Sequence, residues 1–138
     1  MEHDGLRTPP SKAINSYRDL RVWHHAVELF AAVTALIRPL PVAERLIFET
    51  QTRRAARGVA ASIAEGCCRW DLGDYARSVS YASGSLGEVE TDLRLIALVN
   101  DVDQDQLRRC LELCDTAGRE LNRLTHSLRR LRKRDKQS

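Results

Sequence analysis

The chain has 138 residues and a formal net charge of +3, with 43% hydrophobic, 30% charged and 5% aromatic residues. This length suits one domain with a buried core. Leucine, alanine and arginine dominate, and the prolines lie outside the long periodic segments, so the composition predicts an all-α fold. Because the sequence shows neither a membrane span nor a signal peptide, we expect a cytoplasmic protein without a membrane partner.

The chain divides into three parts by composition. Residues 1–16 are polar and contain prolines, which predicts a flexible N-terminal arm. Residues 17–131 carry the periodic segments and are predicted to form the folded domain. Residues 132–138 are predicted to form a basic C-terminal tail. The positive charge is concentrated toward this end, because residues 1–102 carry 12 basic and 13 acidic side chains and residues 103–138 carry 10 and 6.

The first two helices are predicted over about 17–38 and 41–65. The core side of the first is predicted from apolar residues at steps of three and four: Leu20, Trp23, Val27, Phe30, Thr34 and Ile37. The core side of the second is predicted to comprise Thr52, Ala56, Val59 and Ile63. Gly66 is predicted to end the second helix, since glycine favours the position after a helix C-terminus.

The last two helices begin at predicted N-caps, Asp71 and Asp103. The third has the clearest core pattern: Tyr75, Val79, Ala82, Leu86, Val89, Leu93 and Ile96. In the fourth the pattern is Leu107, Leu111, Cys114, Gly118, Leu121, Leu124, Leu128 and Leu131. Short links between long helices predict an up-down antiparallel four-helix bundle.

A second set of apolar and small residues predicts self-association into a ring-like homo-oligomer. On the first helix this set lies about 100° around the helix from the predicted core side, and on the third it lies on the back of the helix. Glycine inside a helix is destabilising unless backbones approach closely. The predicted interface residues are Val22, Leu29, Val33, Leu36, Gly84, Gly87 and Leu95. A small apolar surface without a partner is the alternative.

The four cysteines and four histidines lack the spacing of a zinc site. Cys110 and Cys114 fall on or near an apolar stripe, so they are predicted to be buried, reduced thiols. Neither a glycine-rich phosphate loop nor a nucleophile with a recognisable base is present. We therefore expect no metal, no cofactor and no enzymatic activity.

Arginines mark two basic regions. In QTRRAARGVAASIAEG, residues 51–66, Arg53 is placed to pair with Glu88 or Glu90, while Arg54 and Arg57 face an interface or a phosphate. The run RRLRKRDK, residues 129–136, is either a solvated helix end or an anion-binding surface.

Three stretches resemble the four-helix-bundle proteins encoded within intervening sequences of bacterial 23S ribosomal RNA genes: YRDLRVWHHAVEL, the run at 51–66, and CCRWDLGDYARSVSYASGSLGEVETDL. The resemblance covers roughly residues 17–131 and is most specific at 51–55, 64–66, Arg69 and 84–88. It implies a homopentamer in a family for which nucleic-acid binding is suspected. A more distant similarity to accessory proteins of diversity-generating retroelements implies a reverse transcriptase and its RNA as partners.

Two functions thus remain open besides the less favoured enzyme. The first is a nucleic-acid-binding, RNA-binding module, and the second is a structural or protein-binding scaffold. For the first, the predicted binding residues are Arg54, Arg57, Arg69, Arg129, Arg130, Arg132, Lys133 and Arg134.

Overall fold

A computed structural model describes residues 16–137, and four α-helices make up most of them. Their bounds are Arg21–Ile37 for α1, Val42–Cys67 for α2, Leu72–Val99 for α3 and Gln104–Gln137 for α4, and a 3₁₀ turn, Tyr17–Asp19, precedes α1. This part of the chain contains no β-strand, so the all-α prediction is confirmed. The predicted arm, apart from Ser16, lies outside the described residues.

The helices pack in a closed cycle, in which α1 contacts α2 and α4, and α3 contacts the same two helices. Neighbours run antiparallel. Between α2 and α3, Thr52 bonds to Asp92, whereas Gly66, later on α2, lies against Ser78, earlier on α3. Connections of four residues, 38–41, 68–71 and 100–103, join them. This is the packing of a four-helix bundle. Within residues 16–137, no helix combines the length and apolarity needed to cross a membrane.

The predicted core sides of α2 and α3 are confirmed. All four predicted α2 residues are fully buried, and all seven predicted α3 residues are at most 7% exposed. On α4 the buried side includes Cys114, Leu121, Leu124 and Leu128 as predicted. It also includes residues that the stripe omitted: Cys110, Leu113, Ala117 and Glu120.

The structure corrects the prediction for α1. The residues assigned to an oligomer interface, Val22, Leu29, Val33 and Leu36, are at most 1% exposed within the single chain, so they form its own core. Of the predicted core residues, Leu20 and Ile37 are buried, Trp23, Phe30 and Thr34 are half-buried, and Val27 is 42% exposed. The two large aromatic rings lie on the flank of α1, where Trp23 packs against Tyr17 and Phe30 lies under Arg53.

Two predicted helix ends also differ. Gly66 does not end α2, which continues to Cys67, and none of the described glycines has a left-handed backbone conformation. Gly66 instead permits close packing, because a Cβ atom there would lie 2.7 Å from Cβ of Ser78. At the other end of the chain, α4 runs without a break through the predicted tail to Gln137.

Candidate nucleic-acid interface

One end of the bundle includes the α2–α3 turn and the last turns of α4. The antiparallel register of α3 and α4 brings them together. The guanidinium of Arg132 lies beside the first turn of α3, where a Cβ atom on Gly73 would be 3.6 Å from Nη2 of Arg132. Residues far apart in sequence therefore share one surface, which we call the basic end.

The last turns of α4 supply most of the charge at the basic end. Six cations and one carboxylate, Asp135, occur among residues 129–136. All seven of these side chains are exposed. A shallow groove of about 400 Å³ is lined by His126, Arg129, Arg130, Arg132, Lys133 and Lys136. Arg129, Lys133 and Lys136 follow the i, i+4, i+7 spacing of one helix face.

The α2–α3 turn adds Arg69 and Trp70. Arg69 donates to Oε1 of Glu65 at 3.1 Å, an exposed pair that contributes little to stability. Trp70 is 85% exposed. The backbone of the turn is fixed on both sides, because the amide of Cys68 bonds to carbonyls of α2 and the carboxylate of Asp71 caps α3.

The cap at Asp71 explains why α3 begins where it does. Its Oδ1 accepts hydrogen bonds from the amides of Gly73 at 2.6 Å and Asp74 at 3.2 Å. These are amides that the helix itself leaves without a partner. The prediction of this N-cap is confirmed, as is that of Asp103, whose Oδ1 accepts from the amide of Gln106 at 2.9 Å.

Arg54 and Arg57 are separate from the basic end. Both are exposed, but they lie in the middle of α2, and Arg57 is ten residues before the end of the helix at Cys67. Ten residues correspond to about 15 Å along a helix. The predicted set therefore divides, with Arg69 and the α4 residues at one end and this pair on the side of the bundle.

Arg53 has a different environment from the one predicted. No ion pair with Glu88 or Glu90 forms, and Glu90 pairs with Arg94 instead. The guanidinium of Arg53 lies 5.2 Å from the ring centre of Phe30, a cation–π contact between α2 and α1.

The titratable core groups do not form a metal centre. All four cysteines are free thiols, and no cluster of three or more potential ligands occurs among residues 16–137. Burial raises the pKa of Cys110 to about 11 and that of Cys114 to about 12. Burial also raises the pKa of Cys67 and of Tyr75. These thiols are therefore protonated packing groups at neutral pH, as predicted for the α4 pair.

A second exposed surface includes the remaining predicted interface residues. Gly84 and Gly87 face outward, and Cβ atoms on them would meet nothing within 4 Å. Leu95 on the same helix is 45% exposed. A further group of exposed apolar residues lies at the end of the bundle where α2 begins and α3 ends: Val42, Leu46, Ile47, Leu98 and Val99.

Three residues of the basic end were absent from the predicted set. The helical spacing from Arg129 could have identified Lys136. His126 gave no such signal, because its placement depends on how α4 packs beside α3. Trp70 did give one, since it follows Arg69 directly and is one of the few aromatic residues that could stack on a base.

These features define an all-α, four-helix protein whose positive charge gathers at one end. The family described as 23S rRNA-intervening sequence protein matches residues 18–123, well over half of the chain. The chain belongs to this family, which confirms the resemblance read from the sequence. The charged turns from Arg129 onward lie beyond the matched residues. No curated protein matches the chain.

Proposed function

We propose that this protein is a non-enzymatic, oligomeric nucleic-acid-binding protein that holds RNA at its basic end. The observation that carries the proposal is the density of exposed charge on α4. Six cations in eight residues project from a helix that is packed beside the first turn of α3. Arginine, which is common in this run, suits the geometry of phosphate oxygens.

The helix dipole explains only part of this charge. Cations are favourable near a helix C-terminus, but the effect falls off within the last turn. Arg129 and Arg130 lie about two turns before Gln137, where α4 ends. Arg129 with Lys133, and Arg132 with Lys136, are like-charge pairs at i, i+4, which destabilise a helix. A bound polyanion would relieve this repulsion.

Self-association would bring several copies of the basic end together in one assembly. Gly84 and Gly87 occupy helical positions without any contact in their own chain that requires glycine, and Leu95 is exposed on the same face. A second copy of the chain could approach the backbone of α3 closely at these positions, because glycine has no side chain. The family resemblance makes a ring-like homopentamer the expected assembly. Weak sites on several subunits would then engage one strand together.

The test is titration of labelled RNA at low and moderate salt. Replacing Arg129, Lys133 and Lys136 by glutamine removes three charges while keeping helix propensity. The RNA affinity of the wild type should fall steeply as the salt concentration rises. At the same salt concentration, this variant should bind RNA much more weakly than the wild type. The control variant has glutamine at Arg38, Arg45 and Arg108, which lie toward the opposite end of the bundle. It should bind RNA nearly as well as the wild type. Equal losses in both variants would refute a localised site.

A protein-binding scaffold is the second candidate. It is favoured by the exposed apolar group at the opposite end, in which Leu46 is 75% and Leu98 78% exposed. A reverse transcriptase as its partner rests on the distant resemblance alone. If the intact protein binds no RNA at low salt, the scaffold becomes the preferred function.

A further inference from the structure

Trp70 is the most exposed large hydrophobic side chain among the described residues, with 85% of its surface accessible. A tryptophan buries about 150–250 Å² in a core or an interface. Trp23, the second tryptophan of the chain, is half-buried and packs against Tyr17 at 5.1 Å between ring centres. Trp70 is thus much more exposed to solvent than Trp23.

The position of Trp70 is fixed by backbone hydrogen bonds. The amide of Arg69 bonds to the carbonyl of Gly66 at 3.0 Å, and Asp71 caps the next helix directly after Trp70. The backbone is therefore restrained on both sides of Trp70. Ligand binding would need little additional ordering of this turn.

Cations lie on both sides of this turn. Arg69 precedes Trp70 directly, and Arg132 lies against Gly73, three residues after it. Neighbouring helices are about 8–10 Å apart, so the charged face of α4 is within reach of a short strand that also touches the turn. The surface combines a basic track with an aromatic ring, the combination that single-strand-binding proteins use.

We propose that Trp70 stacks on an unpaired base and makes the basic end selective for single-stranded over double-stranded RNA. This inference rests on the proposed function and adds a ligand class to it. In a duplex the faces of the bases are covered by their neighbours, whereas a single strand exposes them. Because every base has a stacking face, the contact adds affinity without strong sequence preference.

The experiment compares a labelled single-stranded RNA with the same strand annealed to its complement. The wild type should prefer the single strand. Trp70→Ala should weaken single-strand binding at least about fivefold and leave duplex binding unchanged. Trp70→Phe should retain most of the affinity. Tyr81→Ala is the matched control, since Tyr81 is 66% exposed in the middle of α3 and should have no effect.

Tryptophan fluorescence supplies a second readout. Single-stranded RNA should quench the fluorescence of the wild type. The Trp70→Phe variant, in which Trp23 alone emits, should show little quenching.

Equal affinity for both RNAs, unchanged by Trp70→Ala, would overturn the stacking role and leave phosphate binding intact. Absence of any RNA binding would overturn the stacking role and the proposed function together. Stronger single-strand binding by Trp70→Ala than by the wild type would also contradict the inference.

Discussion

Glycine has opposite roles at two positions of this bundle. At Gly66, α2 approaches α3 so closely that a Cβ atom would lie 2.7 Å from Cβ of Ser78 and 3.0 Å from a ring carbon of Tyr75. At Gly84 a Cβ atom would meet nothing within 4 Å. We therefore predict that Gly66→Ala lowers the free energy of unfolding by about 1–3 kcal/mol.

Gly84→Ala is the matched control, and it should be neutral or raise the free energy of unfolding by up to about 1 kcal/mol. Urea unfolding at one protein concentration measures both variants. A Gly66→Ala variant as stable as the wild type would show that α2 and α3 are farther apart than described.

The buried thiols of α4 predict a loss of stability at alkaline pH. Unfolded cysteine loses its proton near its ordinary pKa of 9.0, whereas Cys110 and Cys114 in the folded protein keep theirs to about pH 11 and 12. Above about pH 9 the unfolded state therefore binds fewer protons, and the free energy of unfolding falls as pH rises. Urea unfolding between about pH 8 and 10.5 in reducing buffer should show this decrease.

The corresponding variant replaces Cys110 and Cys114 by alanine. It should be less stable at all pH values and show a smaller decrease with pH. Cys68→Ala, at an exposed thiol, should keep the full decrease. A double variant with an unchanged decrease would contradict the assignment to these thiols.

Long-range pairs explain what the sequence could not predict at this scale. Nδ1 of His25 and Oε1 of Glu120 are 2.7 Å apart, although 95 positions separate the residues. No local pattern indicates that a glutamate will be buried beside a histidine. Arg53 was likewise assigned to a carboxylate, whereas the fold places it over Phe30.

Helix α3 offers a test of whether a local sequence signal sets where a helix begins, because its start depends on the N-cap Asp71. Replacing it by alanine leaves the amides of Gly73 and Asp74 without their side-chain acceptor. We predict a loss of about 1 kcal/mol in the free energy of unfolding, within the usual range of about 0.5–2 kcal/mol for a cap.

Asp71→Asn should restore most of this stability, because asparagine also caps helices. Thermal unfolding followed by circular dichroism measures the three proteins. If Asp71→Asn is as unstable as Asp71→Ala, the negative charge and not the hydrogen bonds supports this helix start.

Helices α1 and α3 show when apolar periodicity determines the buried side. On α3, one apolar stripe predicted seven of the eight buried positions, and only the small polar residue Ser78 was missed. On α1, apolar residues cover two stripes about 100° apart, and periodicity alone does not distinguish them. Packing does, because Ala26 and Leu29 fit in the interior whereas Trp23 and Phe30 lie at the flank. Periodicity also does not predict which residues meet at the basic end, because this depends on the register of α4 against α3.

At the scale of the whole molecule, the first prediction concerns self-association. We predict a homo-oligomer by light scattering, with a mass well above that of the chain. Gly87→Leu should reduce the mass while leaving helicity unchanged, because this position faces away from the bundle core. Asn122→Leu, which adds a leucine at an exposed site on α4, should keep the assembly. A wild type that is monomeric at all concentrations would contradict self-association.

The central claim is that the basic end binds RNA through phosphate contacts. The most direct measurement is the slope of the logarithm of RNA affinity against the logarithm of salt concentration. We predict a steep negative slope for the wild type. Each single-strand phosphate contact contributes about 0.7 to the slope, so glutamine at Arg129, Lys133 and Lys136 should reduce its magnitude by about 2. An unchanged slope in this variant would contradict the claim.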